Sequence, residues 1–344
     1  VQLLYWWYAY RAAPRSTTDS SASTDAVSVL IAARNEADRI GGLLQALVDQ
    51  TYPHLRAIVV DDYSTDDTEG VARRWSDRLD LTVIKITEDY PGKKHALAAG
   101  IDAATTEWIL CTDADCIPHS DAWVSTMMAG RGDHVAVIGY GPLTAQPGIA
   151  SWLAVGEAVW TATHYLAASA AHRAYMAVGR NFLFSKAAYL SVGGYDSHRG
   201  LASGDDDLLL SDLQRTGSIG LVLSDEAWVD SEAVPSWRAW LQQKRRHLST
   251  ATRYSPHSRR DLALFAITHL LVVGSATACM VMGHVYMVIA VLTIKYLLQG
   301  LLSYRWYAAI GQLKYWRALP IMEWSLAIFY LVLSPYLWWH KKTW

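Results

Sequence analysis

The sequence predicts an α/β fold: a mostly parallel sheet flanked by helices, joined to transmembrane helices. Three observations carry that expectation. Apolar runs of strand length alternate with segments of helical period between residues 27 and 111. Acidic clusters stand at the ends of two of those runs, Asp61-Asp62 and Asp113/Asp115, where ligands of such sheets bind. The last stretch, roughly 80 residues, is far more apolar than the rest.

The elements follow in order. Residues 1–10, VQLLYWWYAY, are apolar and aromatic and are followed by Arg11 and Arg15. Residues 1–15 therefore read as the cytoplasmic end of a transmembrane helix; a signal peptide would carry its charge before the apolar stretch. Residues 16–25, STTDSSASTD, are a polar linker. Val27–Ala33 is a continuous apolar run, as expected for a strand buried on both faces. Residues 37–50 place Ile40, Leu43, Leu44, Leu47 and Val48 at helical spacing. Strand 56–60, helix 66–79, strand 81–86, helix 93–104 and strand 108–111 continue the alternation. Residues 146–176 are helical and 177–233 hold short strands and turns, which closes a domain over 26–235.

Residues 236–258 form an amphipathic helix, with Trp237, Trp240, Leu241 and Leu248 on its apolar side, suited to a membrane interface. Residues 259–344 hold three apolar stretches, near 262–282, 285–302 and 319–339, each close to the roughly 20 residues that span a bilayer. Lys295 interrupts the second. With the partial first helix this makes about four spans. Arg305, Lys314 and Arg317 lie between the last two stretches, and Arg259 and Arg260 precede the first; with Arg11 and Arg15 they mark one cytoplasmic side. His340, Lys341 and Lys342 run against that rule. The excess of Trp (16) and Tyr (19) over Phe (4) suits half-wet interface positions. A soluble domain with very apolar helices is the competing reading.

Lys and Arg (30) nearly balance Asp and Glu (32), so composition points to no nucleic-acid partner. Cys111, Cys116 and Cys279 make neither a disulfide framework nor a paired zinc spacing and read as reduced thiols.

Six segments carry chemistry. The turn Ala32-Ala33-Arg34-Asn35-Glu36 leaves the first strand; its bland reading is a helix start with a favourable acid. In Asp61-Asp62-Tyr63-Ser64-Thr65-Asp66-Asp67, Asp62 suits a hydrogen bond from a base or ribose, while Asp66 or Asp67 caps the next helix. Asp113-Ala114-Asp115 aims two carboxylates the same way from a strand end, and such charges repel unless a cation sits between them. Magnesium or manganese takes one or two carboxylates plus substrate phosphates. Gly204-Asp205-Asp206-Asp207 sets three acids before an apolar helix, as a general base or as an N-terminal acid cluster. Gln243-Lys244-Arg245-Arg246-His247 suits anionic headgroups, or a diphosphate held by Arg246 with His247 nearby. Lys93, after Pro91-Gly92, opens a helix where phosphate binds easily.

In order across residues 27–247, VSVLIAARNE, VVDDYSTDDT, PGKKHALAAG, TDADC, GRNFLFSK, GGYD, SGDDDL and QKRRH resemble a family 2 glycosyltransferase of the GT-A fold. The resemblance implies an inverting, metal-assisted transfer from a nucleotide-diphosphate sugar, commonly a UDP-sugar, to a lipid, lipid-linked or polysaccharide acceptor. With the charge asymmetry above, the catalytic domain over 26–235 is expected on the cytoplasmic side, at the inner or plasma membrane if the source is bacterial. Ala32, Arg34, Asn35, Glu36, Asp62, Lys93, Asp113 and Ala114 would surround the donor. Asp115, with Asp113, would hold Mn2+ or Mg2+. Asp205 and Asp206 would stand at the usual Glu-Asp pair, with Asp206 the base. Gln243, Arg246 and His247 resemble the Q-x-x-R-W motif of cellulose, hyaluronan and ceramide glucosyl synthases, with His247 in place of Trp. The departures at 205 and 247 bear on the acceptor side. A single-transfer enzyme, a processive polysaccharide synthase needing a channel or an oligomer, an inert scaffold and a nucleotidyltransferase are the competing functions.

Overall fold

The computed structural model describes residues 2–13, 23–87, 92–201, 203–251 and 253–339. Arg15, most of the 16–25 linker, Pro91, the Leu248 side chain and residues 340–342 lie outside that description. In chain order the elements begin α1 (Gln2–Ala12), β1 (Val27–Ala33), α2 (Ile40–Val48), β2 (Leu55–Asp62), α3 (Thr68–Arg73), β3 (Leu81–Ile86), α4 (Lys93–Ala103) and β4 (Trp108–Asp113). There follow β5 (Ile117–Pro118), α5 (Trp123–Ala129), β6 (Ala136–Gly139), β7 (Leu143–Thr144), α6 (Ile149–Ala170), β8 (Phe182–Ser185), α7 (Lys186–Ser191), α8 (Asp207–Leu213), β9 (Ile219–Val222) and β10 (Val229–Glu232). The chain ends with α9 (Trp237–Ala251), α10 (Pro256–Val281), α11 (Val285–Ala309), α12 (Leu313–Arg317) and α13 (Leu319–Trp339).

Two compact units emerge. The sheet unit holds Ser16–Thr144 and His172–Glu232; the helical unit holds Val1–Arg15, Ala145–Ala171 and Ala233–Trp344. Residues 145–171 thus leave the expected 26–235 domain and join the terminal helices. The reason is the all-round apolarity of α6, whose His164 and Trp160 rings pack with Trp6 of α1 and Phe265 of α10.

In the sheet unit the strand order is β3-β2-β1-β4-β8-β6-β9. The pairs β3–β2, β2–β1, β1–β4 and β6–β9 are parallel, and β8 runs antiparallel to both neighbours. This is the mostly parallel α/β sheet the alternation predicts. Strand order reverses at β1, so the crevice beyond the ends of β1 and β4 is the switch point. There the register sets Ala32 beside Asp113 and Ala33 beside Asp61. β4 runs two residues further than the apolar pattern shows, which builds Asp113 into the ladder. Helix α2 starts at Ile40 rather than residue 37, because the Glu36 and Ala37 amides donate to Thr68 Oγ1 and Asp66 Oδ2 instead. Helix α3 stops at Arg73, and residues 75–78 wind on through i→i+3 bonds.

In the helical unit, among the described residues, two helices are long and apolar enough to cross a membrane: α10 and α11. Only 11% and 17% of their most apolar windows are buried, whereas a soluble core helix would be covered. The expected three to four spans are not supported. Helix α1 has eleven residues, and in α13 the apolar stretch described is Leu319–Phe329. Lys295, the interruption in α11, pairs with Glu323 of α13, which also accepts from Gln299 Nε2 at 2.5 Å. A charge within an apolar helix is tolerated when so paired.

Helix α9 is fixed to α6 by a second buried pair. Glu157, 3% exposed, accepts from Lys244 Nζ at 2.6 Å and from Trp240 Nε1 at 2.9 Å. Trp240 itself is fully buried and stacks on Phe329 at 4.0 Å. The lysine of the QKRRH run is therefore a half-buried structural cation. Removing one member of such a pair strands the other's charge. We expect Glu157→Leu to cost about 3–5 kcal/mol. A thermal melt of the purified full chain checks this, and Glu157→Leu with Lys244→Met is expected to recover most of the loss.

Candidate active site

The loops after β1 and β2 are stitched together at the end of the sheet. Asn35 adopts a left-handed backbone (φ 57°), which Asn tolerates better than most residues. Its Oδ1 accepts from Thr65 N (2.8 Å) and Thr65 Oγ1 (3.1 Å), and its amide donates to Ser64 Oγ at 2.9 Å. Asp66 accepts from the Thr68 hydroxyl and amide and from the Ala37 amide, and these bonds hold its carboxyl below the usual range. Asp61 and Asp62 are both buried; Asp61 accepts from Ser64 N at 3.1 Å and Asp62 from Gly92 N at 3.1 Å. Asp66 therefore braces two loops rather than only capping α3, and Asp62 fixes the turn that delivers Lys93. Arg34 is exposed and Ala32 half-buried, while Ala114 packs its methyl into the core. Any donor contact of Ala114 is thus through its backbone.

Lys93 lies at the centre. Its Nζ stands 2.7 Å from Asp113 Oδ1 and 3.0 Å from Asp205 Oδ2. Burial works against the ammonium, but Asp113 and Asp205 outweigh it and hold its pKa well above the ordinary lysine value. Burial also disfavours the Asp205 carboxylate, yet Lys93 keeps its pKa lowered. Asp206 goes the other way: burial and the adjacent Asp205 charge push it up to about 6. Its two oxygens accept one backbone N–H each, Gly179 N and Asp207 N, both at 2.8 Å. It is at once the N-cap of α8 and a carboxylate of raised pKa. Asp207 accepts from Ala177 N at 3.2 Å, so each member of the acidic triplet has separate work.

In the sequence Gly179 is simply the first residue of GRNFLFSK, and the structure puts it beside the carboxylates. A Cβ there would lie 3.3 Å from Asp206 Oδ2 and 3.4 Å from both Asp205 Oδ2 and Lys93 Nζ. Asn181, two residues on, is fully buried and ties Trp123, Tyr140 and Ala227 together. The signal available was a Gly two residues before a polar residue that opens an apolar strand.

Asp113, Asp115 and Cys116 bring one ligand atom each within 4.8 Å of one another. Cys116 is fully buried and burial pushes its thiol up, so it stays protonated beside Asp115. The two carboxylates are oxygen donors of the kind Mg2+ and Mn2+ take, and Asp115 is a third exposed, with Arg39 at 3.5 Å and the Cys116 thiol at 3.6 Å against it. The residues fit such an ion, with Asp115 the more available ligand because Lys93 already faces Asp113. Glu36 reaches the same corner through Arg39, at 3.2 Å; burial raises its pKa. Gln243, Arg246 and His247 belong to α9 of the helical unit.

Known proteins resemble this chain in part of its sequence and in its fold. Residues 28–189, just under half of the chain, match the glycosyl transferase family 2 model. The fold is shared, at TM-score 0.63 and 24% identity, with the solved mannosyltransferase PcManGT from Pyrobaculum calidifontis in complex with GDP-Man and Mn2+. That alignment covers 99% of this chain and 95% of the other.

Residues 28–189 thus resemble family 2 glycosyltransferases, and the chain shares its fold with PcManGT.

The matched segment runs from β1 through α7 and contains Asp62, Lys93, Asp113, Asp115 and Gly179. Over 95 residues the chain is 37% identical to glycosyltransferase AglE of Haloferax volcanii, covering 27% of this chain and 31% of that protein. Over 94 residues it is 39% identical to the 4,4'-diaponeurosporenoate glycosyltransferase of Staphylococcus aureus, covering 26% of this chain and 24% of that one. The chain thus spans a quarter to a third of the length of these curated relatives.

The Lys93 contacts make a pH-dependent contribution to stability. Lys93, with a raised pKa, contributes fully below its ordinary value of 10.5 and loses that contribution as pH rises through its folded pKa. Asp205, with a lowered pKa, contributes above its ordinary value of 3.8 and loses it as pH falls through its folded pKa. Discounted for partial exposure, the contacts are worth roughly 1 kcal/mol. Lys93→Met is therefore expected to lower the melting temperature by about 2–4 °C at pH 7. The loss shrinks in acid, as pH falls through the lowered pKa of Asp205 and that carboxylate takes up its proton. Melts across that range check the difference.

Proposed function

We propose that this chain is a membrane-anchored, inverting glycosyltransferase that moves one sugar from a nucleotide-diphosphate sugar to a hydroxyl of a lipid or lipid-linked acceptor. The observation that carries the reading is the junction of Lys93, Asp113, Asp205 and Asp206 at the switch point of the sheet. In this reading Asp62 and the Ala32–Glu36 turn lie about the nucleotide and Asp113 orients the sugar. The acceptor oxygen forms a bond to the anomeric carbon and its proton passes to Asp206. The bond from that carbon to the diphosphate breaks, and its electron pair leaves with the nucleoside diphosphate. Asp115, with Asp113, would hold Mn2+ or Mg2+, which neutralises diphosphate charge. Gln243, Arg246 and His247 keep their assignment to diphosphate or acceptor on the strength of the motif alone.

Helices α10 and α11, apolar and largely uncovered, support the anchor. The short Met282–His284 connection, with Gly283 at φ 86°, folds α11 back along α10, so Arg259, Arg260 and Arg305 stand at one end of the pair. By the positive-inside rule that end is cytoplasmic.

The test uses purified full chain with Mn2+, native lipid extract and a panel of GDP-mannose, UDP-glucose and UDP-N-acetylglucosamine. Release of nucleoside diphosphate with a single-sugar glycolipid is expected. A polymer would identify a processive synthase, inorganic diphosphate a nucleotidyltransferase, and no turnover with any donor would favour a scaffold. Asp206→Asn is expected to lower kcat about 100- to 10,000-fold. A base works deprotonated, so wild-type kcat should rise with pH and level off above about 6. A flat profile from pH 5 to 8 would remove Asp206 from that role.

A further inference from the structure

A groove of about 680 Å³ runs along α11 in the helical unit, walled by α12 and the start of α13. Its floor is a single stripe of α11, with Ile289, Leu292, Tyr296, Leu297, Gly300 and Leu301 at three- and four-residue spacing. Ile289, Leu297 and Leu301 each leave more than half of their surface exposed. Opposite stands Trp316, whose Nε1 donates to the Gly300 carbonyl at 2.9 Å and whose ring meets Tyr304 edge-on at 5.3 Å. The wall is thus pinned and the groove is formed before anything enters it.

Dimension and charge select the occupant. The stripe from residue 289 to 301 is about 18 Å long at the helical rise. One leaflet's hydrocarbon is about 15 Å deep. At the end where α12 crosses, Arg317 lines the groove and is exposed, and Lys314 lies one turn back, also exposed. An apolar channel of leaflet depth with cations at its interfacial end matches one lipid chain beneath an anionic headgroup. A second copy of this chain would face an exposed arginine at the edge of an otherwise apolar contact.

We propose that this groove is a binding site for an anionic membrane lipid, with its chain along the α11 stripe and its phosphate at Arg317. The assignment rests on the membrane reading of α10 and α11. It is separate from the donor chemistry of the sheet unit.

The experiment uses the full chain extracted with detergent from carbonate-washed membranes and delipidated. Dioleoylphosphatidylglycerol or dioleoylphosphatidylcholine is then titrated in under native mass spectrometry. One phosphatidylglycerol is expected to bind in preference to phosphatidylcholine. Arg317→Gln is expected to weaken phosphatidylglycerol about fivefold and erase the preference, while Arg317→Lys keeps it. Gly300→Leu fills the floor and should weaken both lipids; a Cβ there meets Trp316 at 3.7 Å, an ordinary contact. Equal binding of the two lipids by wild type, unchanged binding by Arg317→Gln, or a lipid-free dimer overturns the proposal. Release of the protein by the carbonate wash overturns the membrane reading itself, and the groove assignment with it.

Discussion

The sheet unit is organised around one ammonium. Carboxylates from the end of β4 and from the start of α8 converge at the switch point, and like charges gathered there repel. Lys93 answers that repulsion by touching Asp113 and Asp205 together. Its placement depends in turn on Asp62, which holds the Gly92 amide at the start of α4. Asp206 is left as the carboxylate that burial and its neighbour make hard to ionise. One pairing thus separates two adjacent acids into a charged anchor and a carboxyl of raised pKa.

The helical unit meets the same electrostatic problem in an apolar setting. Each of its two deeply buried glutamates receives a lysine and a second donor: Glu157 takes Lys244 and Trp240, and Glu323 takes Lys295 and Gln299. Such pairs add little net stability over apolar packing but penalise the loss of either partner. Their effect is to fix which helix faces meet. Lys244 faces α6, and Arg246, two residues on, stands roughly 200° further round α9 at 100° per residue. The basic run thereby divides into a structural residue and a differently directed one.

The family match covers the segment that carries the donor-side carboxylates and stops before the acidic triplet and the QKRRH run. The PcManGT likeness extends over nearly the whole chain but shows the shape alone. The proposed donor chemistry therefore rests on the segment with the firmest comparisons. The proposed acceptor chemistry rests on α9 and the apolar helices, and α9 departs from the motif it resembles.

The α/β alternation, the strand-end position of Asp61-Asp62 and Asp113/Asp115, and the apolar tail were legible in the sequence, because periodicity and charge are local properties of the chain. The sequence alone determined that acids would gather at the ends of parallel strands and need a counter-cation. Only the tertiary structure decided that Lys93 pairs with Asp113 and Asp205, that Gly179 sits against Asp205 and Asp206, and that Glu157 receives Lys244. These contacts join residues far apart along the chain, and no spacing rule encodes them. Tertiary structure likewise decided that α6 belongs with the helical unit, and that two helices rather than three to four combine the length and apolarity of a span among the described residues. Apolar character along a helix is read from sequence, whereas which of its faces stays uncovered depends on what the rest of the chain packs against it.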